Sequence, residues 1–371
     1  MEDLKSGKNK KKFYLLLLSI IILLIIVIII ILIFVFKKNT KSKSSVKYSF
    51  SAVYFTEFEN QTINLIYRLP IKEFVDYNET IKNCNITKMT IDNEEKTPSL
   101  NYTFLYPGNH IVNFWIDILE CDSLEGMFQG NINMLSINFT ENFNTKNIKY
   151  MDGIFENCDK LTSLDLSIFN TENVDNFNNI FYNCKQLVSI NLSNWNTTKG
   201  KYYIAMFTFC ESLTSIDLSS FNTENAEYML YMFSECSLLK SINLSNFNTK
   251  NVESMVNMFS GCTSLTSLDL SNFDTNTVDD MSFMFNGCSS LEYLNISNFS
   301  NQNLKDKLRM LYGCYSLTSL DISSFNDFND GGYNIFEKIA GNGTIYVNKN
   351  FSDYAKKNLP PNWEIKIVDY K

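Results

Sequence analysis

Seven cysteines, Cys158, Cys184, Cys210, Cys236, Cys262, Cys288 and Cys314, each follow the one before by 26 residues, and no insertion interrupts the series. A fixed interval of roughly 20 to 50 residues marks units that cannot bury an apolar face alone and must stack on their neighbours. Residues 143–328 therefore read as a tandem array. Its main product is a long regular surface, which suits binding better than catalysis.

One repeat, Leu265 to Cys288, shows the pattern. Leu268-Asp269-Leu270 alternates apolar and polar, as a short strand with one buried side does. Val278, Met281, Met284, Phe285 and Cys288 then recur at three- and four-residue steps, which predicts a short helix. Asp274 and Thr275 stand where they would cap it, and Gly287 where it would end. The expected fold is an α/β solenoid: a leucine-rich-repeat rod with one short strand and one short helix per 26-residue repeat. Stacking turns consensus positions into ladders. Phe143, Phe169, Trp195, Phe221, Phe247, Phe273, Phe299 and Phe325 form one; Met206, Met232, Met258, Met284 and Met310 form another, continued by Ile154 and Ile180.

The even cysteine spacing, without a CxxC pair or a nearby histidine, argues against zinc. The cysteines are read as buried free thiols acting as small hydrophobes, with disulfides between repeats or redox chemistry as the alternative. No cofactor is expected. Asp165, Asn191, Asp217, Asn243, Asp269, Asn295 and Asp321 occupy the outward side of successive strands and alternate in charge. Like charges on adjacent strands repel, so the alternation spaces the carboxylates two strands apart. A serine row, Ser167 to Ser323, runs beside them. This is the candidate ligand face, a small-polar and weakly acidic surface; the plain alternative is a sheet kept soluble by polar residues. Thr145, Thr171, Thr197, Thr223, Thr249 and Thr275 form a further row, read as helix caps, with an ice-facing row as the alternative.

Residues 13–36 contain no charge over 24 positions, about 36 Å of helix, enough to cross a hydrocarbon core of about 30 Å. Ending in Phe34-Val35-Phe36 and Lys37-Lys38, the run reads as a retained signal-anchor. Lysines are balanced on its two sides, so the positive-inside rule does not orient it. Twelve N-x-[ST] sequons beyond it, among them Asn60, Asn78, Asn85, Asn101, Asn191, Asn196 and Asn342, favour export of the repeats. The expected location is thus the cell membrane, single-pass, with a short cytoplasmic amino terminus and an extracellular repeat domain. Residues 1–47 carry a net +8; the whole chain is −8, leaving −16 on residues 48–371. Such a domain does not attract nucleic acid. The expected partners are the membrane, through one amino-terminal helix, and an extracellular protein or glycan.

The expected organisation is a tail at 1–12, the anchor at 13–36, a polar stalk at 37–47, a β-rich capping domain at 48–120, the repeats at 121–330 and a carboxyl-terminal cap at 331–371. Exposed ends of a stacked array need such caps. Cys84 and Cys121 could form a structural disulfide in an oxidising compartment. His110 is the only histidine, and no GxSxG, HExxH, P-loop or dinucleotide fingerprint is present, so no catalytic or metal-ligating residue is assigned.

The consensus MF-x-x-C-x-x-L-x-S-L-D-L-S-x-F-N-T, seen as Met258-Phe259, Cys262, Leu265, Leu268-Asp269-Leu270-Ser271 and Phe273, resembles the BspA-like leucine-rich-repeat surface proteins over residues 120–328. The resemblance implies a cell-surface adhesion or recognition module and supplies no catalytic residues. A structural coat protein without a specific ligand is the alternative, or an intracellular scaffold if the anchor is inverted.

Overall fold

Backbone amides in the repeats alternate between two kinds of partner, and that alternation decides the fold. Met281, Phe283, Phe285 and Gly287 donate their N–H groups to the carbonyls of Asp306, Leu308, Met310 and Tyr312 in the next repeat, at 2.8 to 2.9 Å. The residues between them, Met284, Asn286 and Cys288, donate instead to Met281, Phe283 and Phe285, three positions back. An α-helix would send each of these amides four positions back. Two residues per repeat also take positive φ, here Phe283 at 59° and Gly287 at 74°, which a right-handed helix does not contain. The same pair recurs as Asn179 and Asn183, Ala205 and Phe209, Tyr231 and Glu235, and Asn257 and Gly261. The segment is a run of turns whose every second amide reaches the neighbouring repeat.

The computed structural model describes residues 49–67, 84–326 and 334–368. Among them there is one α-helix, α1 (Ser352–Asn358), and it lies outside the repeats. This overturns the α/β leucine-rich-repeat solenoid with a helix in each repeat. The apolar residues at three- and four-residue spacing are buried as expected of an inward face, with Met281, Met284, Phe285 and Cys288 all at 0% exposure. Successive turns place them inward just as a helix would. Thr275 caps no helix: its hydroxyl donates to the Ser300 carbonyl and accepts from the Ser300 N–H, at 3.2 and 2.7 Å. Thr145, Thr171, Thr197 and Thr223 make the same reciprocal pair with Asn170, Asn196, Asn222 and Asn248. All six threonines of the row are buried, which removes the ice-facing reading.

Strand rich in β-branched and aromatic residues precede the repeats. β1 (Phe50–Thr56), β3 (Ile86–Ile91), β4 (Glu94–Lys96), β6 (Gly108–Ile116) and β7 (Met134–Phe139) form an antiparallel sheet in the order β4-β3-β6-β1-β7. β2 (Gln61–Asn64) pairs with β5 (Asn101–Phe104). Cys84 and Cys121 are joined by a disulfide, with Cα atoms 5.0 Å apart. Phe50 of β1 stacks on Phe114 at 4.8 Å and meets Phe128 edge-on at 5.3 Å. Phe128 in turn stacks on Phe155, so the sheet's core runs into the core of the repeats.

From there Phe155, Phe181, Phe207, Phe233, Phe259 and Phe285 continue the stack, with centroids 5.3 to 6.1 Å apart. β8 (Ser163–Asp165) and β9 (Ser189–Asn191) pair in parallel, as do β10 (Ser267–Asp269), β11 (Tyr293–Asn295) and β12 (Ser319–Asp321). Register is held at one repeat per strand, Leu268 opposite Leu294 and Leu294 opposite Leu320. Residues 215–217 and 241–243 carry no strand. A second line of parallel bridges joins Tyr150, Asn176, Tyr202, Tyr228, Ser254, Asp280 and Asp306. β13 (Asn342–Val347) and β14 (Asn362–Ile367) extend the parallel sheet past β12 and end it.

The single-pass membrane location is also corrected. No helix among the described residues is long and apolar enough to cross a membrane. The apolar run at 13–36, on which the transmembrane anchor was placed, lies outside the described residues.

The turn geometry separates two glycines. A Cβ on Gly287 would come no closer than 3.8 Å to its neighbours, so Gly287→Ala should cost only the left-handed backbone, about 1–2 kcal/mol. A Cβ on Gly343 would lie 2.6 Å from the Thr318 carbonyl oxygen, which is backbone and cannot swing away. Urea midpoints should therefore fall further for Gly343→Ala than for Gly287→Ala, and the reverse order would refute this account of the two sites.

Candidate ligand-binding face

Each residue of the Asp/Asn row does a local job first. The side-chain oxygens of Asp165, Asn191, Asp217, Asn243, Asp269, Asn295 and Asp321 each accept the N–H two residues on, from Ser167 through to Ser323, at 2.9 to 3.2 Å. These bonds close the turn that leaves each strand. Hydrogen bonds from the Ser219 hydroxyl and N–H hold the Asp217 carboxyl below its usual range. The Asn191 amide also donates to Asp165 across the repeats at 3.0 Å, so alternating Asn with Asp replaces a repulsion by a hydrogen bond.

The row is exposed from Asp165 to Asp269 and half-buried at Asn295 and Asp321. Two tyrosines mark the change. Ser163, Ser189, Ser215, Ser241 and Ser267 share one outward register, and Tyr293 replaces serine at the next position. Tyr346 sits opposite Asp321, where a further Asp or Asn would stand. Tyr293 and Tyr346 are two strands and two residues apart, with Ser319 and Asp321 between them. Strand spacing near 4.8 Å and a rise near 3.3 Å put their Cα atoms about 12 Å apart. Burial, then the carboxylates of Asp269 and Asp321, raises the Tyr293 phenol above its ordinary value. Lys366 lies 5.5 Å from the Tyr346 ring centroid. A plain polar face thus ends in an aromatic corner. The break in the serine register at 293 was the sequence signal for it.

Asn60, Asn85, Asn101, Asn191, Asn196 and Asn342 are all exposed. Asn78 lies outside the described residues. His110 contacts Asp92 through Nδ1 at 2.8 Å and the Thr56 hydroxyl through Nε2 at 3.2 Å. Thr56 is fully buried and its hydroxyl donates to the Tyr106 carbonyl.

The repeat cysteines are free and buried. Each thiol, from Cys158 to Cys314, donates to the carbonyl of a phenylalanine one repeat back, Phe128 through to Phe285, at 3.1 to 3.2 Å. Cysteine here is small enough for the core and still supplies a weak donor.

The architecture defines a repeat protein built from parallel strands and interlocked turns, closed by a sheet at each end. A family model described as "Mycoplasma protein of unknown function, DUF285" matches residues 122–243 and 229–338, more than half of the chain. The chain belongs to that family. Comparison with curated proteins finds no match.

Burial pushes the thiols of Cys184, Cys262 and Cys314 up to about 12 and raises Cys158, Cys210, Cys236 and Cys288 well above the ordinary value. The unfolded chain releases these protons from about pH 8.5, which favours unfolding. Stability should be complete below that pH and fall as pH rises toward 12, by about 1.4 kcal/mol per pH unit for each thiol. Urea titrations between pH 8 and 10.5 would show this loss, and Cys236→Ala should make it shallower; a pH-independent midpoint would contradict it. A chromogenic disulfide reagent should find no reactive thiol in the native chain and all seven after unfolding.

Proposed function

We propose that the chain is an adhesion or recognition module that binds protein or glycan ligands on its outward strand face. The observation that carries this reading is the aromatic corner at Tyr293 and Tyr346. Tyrosine combines a large rigid apolar area with a hydroxyl, and binding hot spots are enriched in it. Nothing in the fold requires tyrosine at 293, since serine serves the same register in six other repeats. The repeat consensus resembles that of the BspA-like leucine-rich-repeat surface proteins, and a recognition role is what that resemblance implies. The net −16 of residues 48–371 favours ligands that are not themselves strongly acidic overall.

A second reading, a structural coat without a specific ligand, is favoured by one observation. Every residue of the Asp/Asn row already has an oxygen engaged in its own turn. The two readings part on saturable binding. The full chain, titrated over immobilised glycans and extracellular-matrix proteins, should bind at least one of them saturably, and Tyr293→Ser should weaken that binding about tenfold or more without moving the urea midpoint. Saturable binding unchanged in Tyr293→Ser would take the corner out of the reading. Absence of any saturable ligand would favour the coat.

A further inference from the structure

We infer that the cavity at the carboxyl ends of β11–β14 binds a sugar residue carrying a carboxylate. This rests on the recognition reading above and names a ligand class for it. The parallel strands run side by side to a common end, and the chain leaving them lines an open cavity of about 450 Å³. Its lining is Ser297 and Asn298 after β11, Ser323, Ser324 and Asn326 after β12, Asn348, Lys349 and Asn350 after β13, and Val368 after β14.

The chemistry of that lining is selective. Amides and hydroxyls dominate, which match the alternating donors and acceptors of a polyol. Several are already spent: Asn348 donates to the Phe325 carbonyl, Asn298 to Phe273 and Ser324 to Phe299. Those bonds fix the wall. The side chains of Asn326 and Asn350 make no hydrogen bond among the described residues, and Lys349 has no carboxylate partner there. Among the described residues, the lining of this cavity has one cation and no acid, in a part of the chain that carries −16. The adjoining carboxylate, Asp321, accepts from both the N–H and the hydroxyl of Ser323. A lysine with no carboxylate partner among the described residues, beside the amides of Asn326 and Asn350, suits a ligand with one carboxylate and several hydroxyls. A multiply charged anion such as a polyphosphate would meet too little positive charge. Asp321 and Tyr346, paired across β12 and β13, each lie two residues before a lining residue, Ser323 and Asn348, so a longer glycan seated here would continue toward the aromatic corner.

The test titrates the full chain, produced without glycosylation, with glucuronic acid and with glucose, read by saturation-transfer NMR. Glucuronate should bind saturably and at least about tenfold more tightly than glucose. Lys349→Gln, an exposed substitution with no packing to lose, should remove that preference, while Tyr293→Ser should leave it within about twofold. Equal affinity for the two sugars, or a preference that survives Lys349→Gln, overturns the inference. A preference abolished by Tyr293→Ser but kept in Lys349→Gln also overturns it, while leaving the strand-face reading in place. Lysine-dependent glucuronate binding in a chain that binds no macromolecule would uphold the cavity and discard the strand face.

Discussion

The hydrogen bond from every second turn amide to the carbonyl of the next repeat is the interaction on which the rest depends. It fixes the spacing between repeats, forces the left-handed residues, and leaves a single repeat with half of its turn amides unmet. A net amide bond contributes about 1 kcal/mol, while a left-handed residue other than glycine costs about 1–2 kcal/mol. At Phe209, Tyr231, Glu235 and Phe283 the bond and the strain roughly cancel. The net stabilisation must come from burial, at about 25 cal/mol per Å² of apolar surface. That is why the phenylalanine, methionine and cysteine positions are filled so uniformly, with exposures at or near zero. The backbone bonds set the geometry and the side chains hold it.

The ends follow from the same constraint. The first repeat cannot face water with its amides and apolar residues open, and the β1–β7 sheet brings Phe50, Phe114 and Phe139 over that end. At the other end β13 and β14 continue the parallel ladder while abandoning the 26-residue unit. Trp363 ties this last turn back with a hydrogen bond to the Ala340 carbonyl at 2.8 Å.

The repeat and its buried positions were legible in the sequence, because period and apolar ladders report which residues face inward whatever the backbone does. The strands were legible only in part: β8 to β12 fall at Leu268-Asp269 and its equivalents, but residues 215–217 and 241–243 carry the same pattern and no strand. The helix was not, since turns and a helix bury the same Met281, Met284, Phe285 and Cys288. One signal pointed the other way: Asn157, Asn183, Gly261, Gly287 and Gly313 fall in a single register, and glycine and asparagine are the residues that tolerate positive φ. Phe209 and Glu235 interrupt that register and hide it. On the candidate face the acidic row was visible, but its turn-closing role was not, because a carboxylate's partner two residues on leaves no trace in composition. Tyr293 and Tyr346 stood outside the repeat logic and so outside the reading built on it.

The uniform register of the stack has a consequence for how such a molecule can change. A one-residue insertion in a turn would swap amides that reach the neighbour with amides that close the turn, and would fail. A whole added unit would meet identical surfaces above and below and would fit without adjustment. Length is therefore adjustable in increments of one strand spacing, about 4.8 Å, while the chemistry at either end stays as it is. Copy number in this design sets reach: it decides how far the tyrosine corner stands from the amino-terminal sheet, and leaves the corner's own residues unchanged.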